Sequence, residues 1–418
     1  MVTITEKILS EHCGKPVEPG DYISANVDLI LANDITAPIA INEMQKHGIM
    51  KVFDPAKIVL VADHMIPNKD IKAATLCKTM REFANEHNLI HYEVGRGGIE
   101  HALLPQEGLV RPGMLIIGAD SHTCTYGALS AFSTGVGSTD VAAAMATGQL
   151  WFKVPESMKF IFTGKIGNAV MGKDLILFLI GQIGVDGALY RSMEFTGESI
   201  HSLSIDGRLS MCNMAIEAGG KNGIIEADDK TIQYVRSRTS HDFKLFKSDQ
   251  DSNYFKTIEF DTTEIEPQVA LPHSPANATP VSEIQSTDIQ QSVIGSCTNG
   301  KMEDLRVAAK ILKDNHISPN VRCIIIPATQ KMYLQALDEG LITTFIKSGC
   351  AVSTPTCGPC LGMHMGVLAK GEKAIATTNR NFVGRMGDPG SEVYLSNPAT
   401  AAASAITGTI TDPRGYLT

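Results

Sequence analysis

No apolar run in the chain approaches the ~20 residues that cross a bilayer, so a helical membrane span is not expected. There is no surplus of positive charge either. Lys and Arg number 36 against 45 Asp and Glu, a net charge of -9, so no global field draws nucleic acid or an anionic membrane. The first residues, MVTITEKILSEHC, lack the basic start and apolar core of a secretory signal. The expectation is therefore a cytoplasmic protein with no nucleic-acid or membrane partner, in which any anionic substrate is handled by local arginines. In a reducing compartment nine dispersed cysteines point to metal or catalysis before disulfides.

What is present is globular: 43% hydrophobic and 19% charged residues over 418 positions, enough for two or three domains. Four segments share one pattern, a short β-branched run that ends in polar residues: KIVLVADH (57–64), MLIIGADSH (114–122), QSVIGSCTN (291–299) and KAIATTNRN (373–381). Each predicts a buried parallel strand with chemistry at its carboxyl end. Between them, residues 68–87 and 301–316 carry apolar side chains at helical spacing. Strand and helix alternate, which predicts α/β domains with sites beyond the strand ends.

Composition shifts at 268–280, where QVALPHSPANATP has three prolines and no regular period and reads as a linker. A weaker boundary falls near 151–153, where the strand-like KFIFTGK and the helical KDLILFLIGQIG follow. The division expected is 1–153, 154–280 and 281–418. The glycine-rich stretch 127–140 lacks a Walker lysine and Rossmann spacing, so its glycines are assigned to turns and close packing.

The strongest local signal is Cys357-Gly-Pro-Cys360 together with Cys297 in GSCTN. By spacing alone the set leaves zinc, a redox dithiol and an iron-sulfur cluster open. No second C-x-x-C or closely spaced histidine pair completes a zinc site, and three thiolates suit a 4Fe-4S cube with one open iron. Cys350 lies seven residues before Cys357, but its setting KSGCAVSTP suits a small buried hydrophobe.

In order, ADH, ADSHT, CNMAIE, GSCTN, CGPCLG and TTNRNFVGRMG resemble the signature segments of the aconitase superfamily, and the likeness runs from TEKILSEH to ITDPRG. Within it the chain is similar to the large subunits of two-chain hydro-lyases acting on 2-hydroxy dicarboxylates. The resemblance implies three α/β domains around a central iron-sulfur cleft, with the swivelling fourth domain absent. It implies one 4Fe-4S cluster on Cys297, Cys357 and Cys360, with one iron open to substrate.

It further implies catalytic roles for Asp63, His64, His101, Asp120, His122 and Glu217. Asn33, Ser121, Asn379, Arg380 and Arg385 are implied in substrate binding, the arginines on carboxylates. Asp34, Asn213, Ser296 and Asn299 are implied as supports behind these groups, with Asn213 and Glu217 four apart on a helix and holding imidazoles. Asn33 departs from the family, where glutamine or histidine is usual. The Gly-Ser-Ser-Arg segment is not found, and the nearest string, RSRT at 236–239, falls in an expected surface helix. The resemblance thus implies a separate small subunit that carries the swivel domain, the catalytic serine and a further arginine. Isopropylmalate leads as substrate, with homocitrate, citramalate and dimethylmalate as alternatives. Some relatives become iron-sensing RNA-binding regulators, which the acidic balance weighs against.

Overall fold

All four β-branched runs form strands in the computed structural model, which describes residues 1–417: Ile58–Val61, Leu115–Gly118, Gln291–Ile294 and Lys373–Ala376. The described residues group into two compact units, each assembled from separate stretches of chain. One comprises Met1–Phe162, Ala188–His201 and Cys212–Phe260, the other Thr163–Gly187, Ser202–Met211 and Asp261–Thr418.

In the first unit five strands form a wholly parallel sheet in the order Ile90–Tyr92, Ile58–Val61, Leu29–Asn33, Leu115–Gly118, Phe132–Gly135. Its inner strands are buried end to end, as a sheet covered on both faces requires. Among the covering helices is Ile71–His87. Asp70 caps it by accepting the N–H of Ala73 at 2.7 Å, and Asn88 ends it in the left-handed region at φ 53°. Of its buried residues, Cys77, Met80, Phe83 and Ala84 join the sheet core of Ile30, Ile58, Leu60, Leu115 and Ile117. Strand order reverses at Leu29–Asn33, so the crevice beyond the ends of this strand and Leu115–Gly118 is where an open α/β sheet binds ligands. A second, four-stranded sheet runs Asn222–Ile225, Ser192–Thr196, Ser157–Thr163, Lys256–Asp261. Gly127 lets the two parts of this unit meet, since a Cβ there would stand 1.7 Å from the Gly223 carbonyl oxygen.

The second unit holds a seven-stranded sheet ordered Ala278–Pro280, Gln268–Ala270, Glu392–Ser396, Lys373–Ala376, Gln291–Ile294, Arg322–Ile325, Ala351–Val352. The last five are parallel, and order reverses at Gln291–Ile294. The stretch 268–280 differs from the expected linker. Its two ends pair as antiparallel strands and add to the sheet edge beside Glu392–Ser396; Pro272 and Pro275 fall in the turn between them, and Pro280 is tolerated in the outermost strand, where no further strand needs its missing N–H. The helix expected over 301–316 spans Met302–Leu312, and beyond it Asp314 adopts a left-handed φ of 61° that a helix does not accommodate.

Candidate active site

Polar residues at the carboxyl ends of the first sheet interlock. Asn33 closes the turn after its strand, its Oδ1 accepting the N–H groups of Ile35 and Thr36, each at 3.1 Å. Its amide donates to Glu100 Oε1 at 3.0 Å. Asp34 accepts the backbone N–H groups of Asp63, His64 and Met65 at 3.0, 2.9 and 2.8 Å, fixing the loop that carries the histidine. His64 Nδ1 lies 2.5 Å from Asp63 Oδ1, a contact that favours the proton on Nδ1, toward the carboxylate. The other oxygen of Asp63 accepts the N–H of Glu100 at 2.8 Å. Burial raises Asp63 above the usual carboxylate range, against the pull of His64.

A second chain of contacts starts from Asp120, which ends the loop after Leu115–Gly118. Its Oδ1 accepts from His101 Nε2 at 2.7 Å and from the backbone N–H of His122 at 2.6 Å. Burial opposes ionisation of Asp120, yet the His101 hydrogen bond and the surrounding imidazoles outweigh it and hold the group far below the carboxylate range. His101 Nδ1 meets the Tyr126 hydroxyl at 3.2 Å, and His122 Nε2 meets Glu217 Oε1 at 2.8 Å. Asn213 donates its amide to Thr125 Oγ1 at 2.8 Å, and that hydroxyl donates to the His122 carbonyl at 2.6 Å. The helix Ile205–Asn213 tightens into a 3-10 turn over Met214–Ala218, so positions 213 and 217 do not lie on one continuous α-helical face. Ser121 is half-buried at the first position of the turn that Asp120 caps.

In the second unit Cys297 follows Gly295 and Ser296, whose φ of 71° is a strained conformation for a residue with a Cβ. Ser296 Oγ accepts the N–H of Thr298 at 3.3 Å and so closes this turn. Gly358 inside the C-x-x-C has φ 58°, and a Cβ there would come 2.4 Å from Ile326 Cδ1. Cys297, Cys357 and Cys360 are all buried. Asn379 stands between two of them, donating to Cys297 Sγ and accepting from Cys360 Sγ, both at 3.3 Å. Arg385 Nη2 is 3.8 Å from Cys360 Sγ, and its Nε is buried with no hydrogen-bond partner among the described residues. Arg380 is half-buried on the same loop. Beneath Cys297, the buried Lys301 donates to the Thr298 carbonyl and to Ser210 Oγ, while Asn299 donates to Asp304 at 2.9 Å.

Residues 6–288 and 282–408 match the Aconitase family (aconitate hydratase). The chain belongs to the aconitase family. Its similarity to curated members extends end to end. It is 64% identical to a 3-isopropylmalate dehydratase large subunit of Moorella thermoacetica, covering 99% of this chain and 98% of that one. For proteins of the same name it is 62% identical to that of Heliobacterium modesticaldum, over 99% of each chain, and 60% to that of Halothermothrix orenii, over the whole of both. Among solved structures, holo aconitase X of Thermococcus kodakaraensis superposes with a TM-score of 0.51 at 13% identity, over 86% of this chain and 84% of that one, a likeness of fold.

Family members are hydro-lyases, and the family implies an iron-sulfur cluster. The donor set fits one. The three thiols are buried and form no disulfide, and Cys297 receives the Asn379 amide N–H while the Arg385 guanidinium approaches Cys360, the kind of donors that thiolate ligands of a cluster receive. Cys350 has another role. It is buried in the core beside Cys323, whose thiol is raised by its hydrogen bond to Cys350 and by burial. Three site residues escaped the sequence reading. Glu100 is next to His101 in GIEHALLP and is fully buried. Tyr126 backs His101. Lys173, a lone cation in the apolar KDLILFLIG, is buried and donates to the Thr377 and Thr378 carbonyls at 3.2 and 2.6 Å, anchoring the loop of Asn379. The available signals were a carboxyl inside the apolar GIEHALLP for Glu100 and a charged pair, Lys173-Asp174, at the head of an apolar run for Lys173.

Proposed function

We propose that the chain is the large subunit of a 3-isopropylmalate dehydratase, interconverting 2- and 3-isopropylmalate through 2-isopropylmaleate in leucine synthesis. The observation that carries this reading is 60–64% identity to large subunits of that name over nearly the entire length of both chains. Cys297, Cys357 and Cys360 would hold a 4Fe-4S cluster, which when bound supplies an open iron acting as a Lewis acid on the substrate hydroxyl.

The chain's own residues do the remaining work. His64, held by Asp63 and Asp34, gives a proton to the departing hydroxyl and takes one from the water that returns. Arg380 and Arg385 bind substrate carboxylates, and the Nε of Arg385, without a hydrogen-bond partner among the described residues, suits a bidentate carboxylate. Ser121 and Asn33 are proposed at the substrate, and His101, Asp120, His122 and Glu217 as the network that sets its protonation. A separate small subunit carries the swivel domain and contributes the serine that removes the α-proton, together with an arginine. None of the nine cysteines forms a disulfide, which suits a reducing cytoplasm.

The test is hydration of 2-isopropylmaleate by the cluster-loaded large subunit alone and then with the small subunit added. Turnover is expected only with both. Robust turnover by the single chain would overturn the divided site. Faster turnover of homoaconitate, citraconate or dimethylmaleate by the complex would move the assignment to that substrate.

A further inference from the structure

Glu100 is wholly buried at the start of the helix Glu100–Gln106, and no motif assigns it. Its backbone N–H binds Asp63, its Oε1 accepts from Asn33, and that same oxygen lies 3.5 Å from His101 Nε2. Its Oε2 is buried with no hydrogen-bond partner among the described residues. A carboxylate oxygen of Glu100, a ring nitrogen of His64 and a carboxylate oxygen of Asp120 all lie within 4.8 Å of one another. The groups that face Glu100 are thus two further carboxylates, Asp63 and Asp120, two imidazoles, His64 and His101, and the Asn33 amide.

We propose that Glu100 is a proton-carrying residue that acts through His64, exchanging a proton with it during the dehydration and hydration half-reactions. This rests on the dehydratase reading given above. Three buried anions in one cluster repel, and the carboxyl that lacks a full set of donors is the one to keep its proton. Burial and the neighbouring Asp63 and Asp120 carboxylates both raise Glu100 well above the ordinary range, whereas Asp120 is held far below it. When His64 has given its proton to the departing hydroxyl, the Glu100 O–H bond breaks and an N–H bond forms on His64. Glu100 is left as a carboxylate, held by the Asn33 amide. Deprotonation of the returning water through His64 sends the proton back, so each cycle ends with Glu100 neutral and no net proton consumed.

The test compares wild type, Glu100→Gln and Glu100→Asp in the reconstituted two-subunit complex. Glu100→Gln keeps the acceptor for Asn33 but has no proton to give, so kcat should fall by roughly 10² with KM within about threefold and iron content unchanged. Glu100→Asp, a worse fit that keeps an acidic proton, should retain more kcat than Glu100→Gln. At neutral pH the wild-type minus Glu100→Gln infrared difference spectrum should contain the carbonyl stretch of one protonated carboxylic acid, over and above that of other buried carboxyls such as Asp304. Absence of that difference band overturns the proposal. So does a Glu100→Gln complex with unchanged kcat and pH profile, or an aspartate variant no better than the glutamine one. Wild type that turns over none of the dicarboxylates would instead overturn the dehydratase reading, while the band still decides whether Glu100 bears the proton.

Discussion

Asp34 holds His64 by its main chain: one carboxylate oxygen accepts the N–H groups of His64 and Asp63, and the other takes that of Met65. Replacing His64 by alanine should lower kcat by roughly 10²–10⁴, the usual worth of a positioned general acid, with iron content unchanged. Asp34→Ala leaves three backbone donors unsatisfied at about 1–3 kcal/mol each, so it should lower both kcat and the unfolding temperature. Steady-state rates and thermal scans measure both. A His64→Ala enzyme at near-normal rate would transfer the proton role to His101 or His122.

Cys297→Ser, Cys357→Ser and Cys360→Ser should each lose the broad visible absorbance of the anaerobically prepared protein. Cys350→Ser should keep it, because that thiol sits in the core beside Cys323. Iron and sulfide analysis decides the matter, and full retention in any of the first three variants removes that residue from the ligand set.

Arg385→Lys should raise KM for the dicarboxylate by about tenfold or more and change kcat less, because an ammonium cannot replace a planar fork. Its buried Nε has no partner among the described residues, so a ligand is the natural acceptor. Equal KM for both enzymes would take the substrate carboxylate away from this arginine.

Burial pushes Asp304 up to about 7, despite the opposing pull of Lys301 and the Asn299 amide. An unfolded aspartate titrates near 3.9, so the folded chain binds this proton more tightly. The resulting stability is present in full below about pH 3.9 and is lost as pH rises through about 7. Between about pH 5 and pH 8, wild type should therefore lose on the order of 2 kcal/mol relative to Asp304→Asn. Unfolding midpoints of the two proteins at both pH values measure this, and parallel profiles would count against it.

Much of the fold was legible because buried parallel strands write themselves as β-branched runs, and all four such runs became strands. The segment 268–280 was opaque for a related reason. Strands of three residues show no alternation, and the prolines in and between them look like a break. His64, His101 and His122 were reached through motifs that resemble a family. What motifs cannot convey is which neighbour holds which: that Asn213 serves Thr125, that Asp34 serves three N–H groups, or that Glu100 joins the cluster. Those depend on a 3-10 turn and on contacts between strand ends distant in sequence.

The interleaving of the two units also sets an order of assembly during synthesis. The helix Gly172–Ile183 packs on the strands Gln268–Ala270 and Ala278–Pro280, and its Lys173 docks on Thr378, 205 positions further along. At about 5–20 residues per second, the ribosome needs roughly 10–40 s to make that partner. The strands that cover its apolar LILFLI run emerge about 100 residues on, roughly 5–20 s later, so this run lacks native cover first and the Lys173 anchor is completed last. The first unit closes sooner, once Phe260 has emerged.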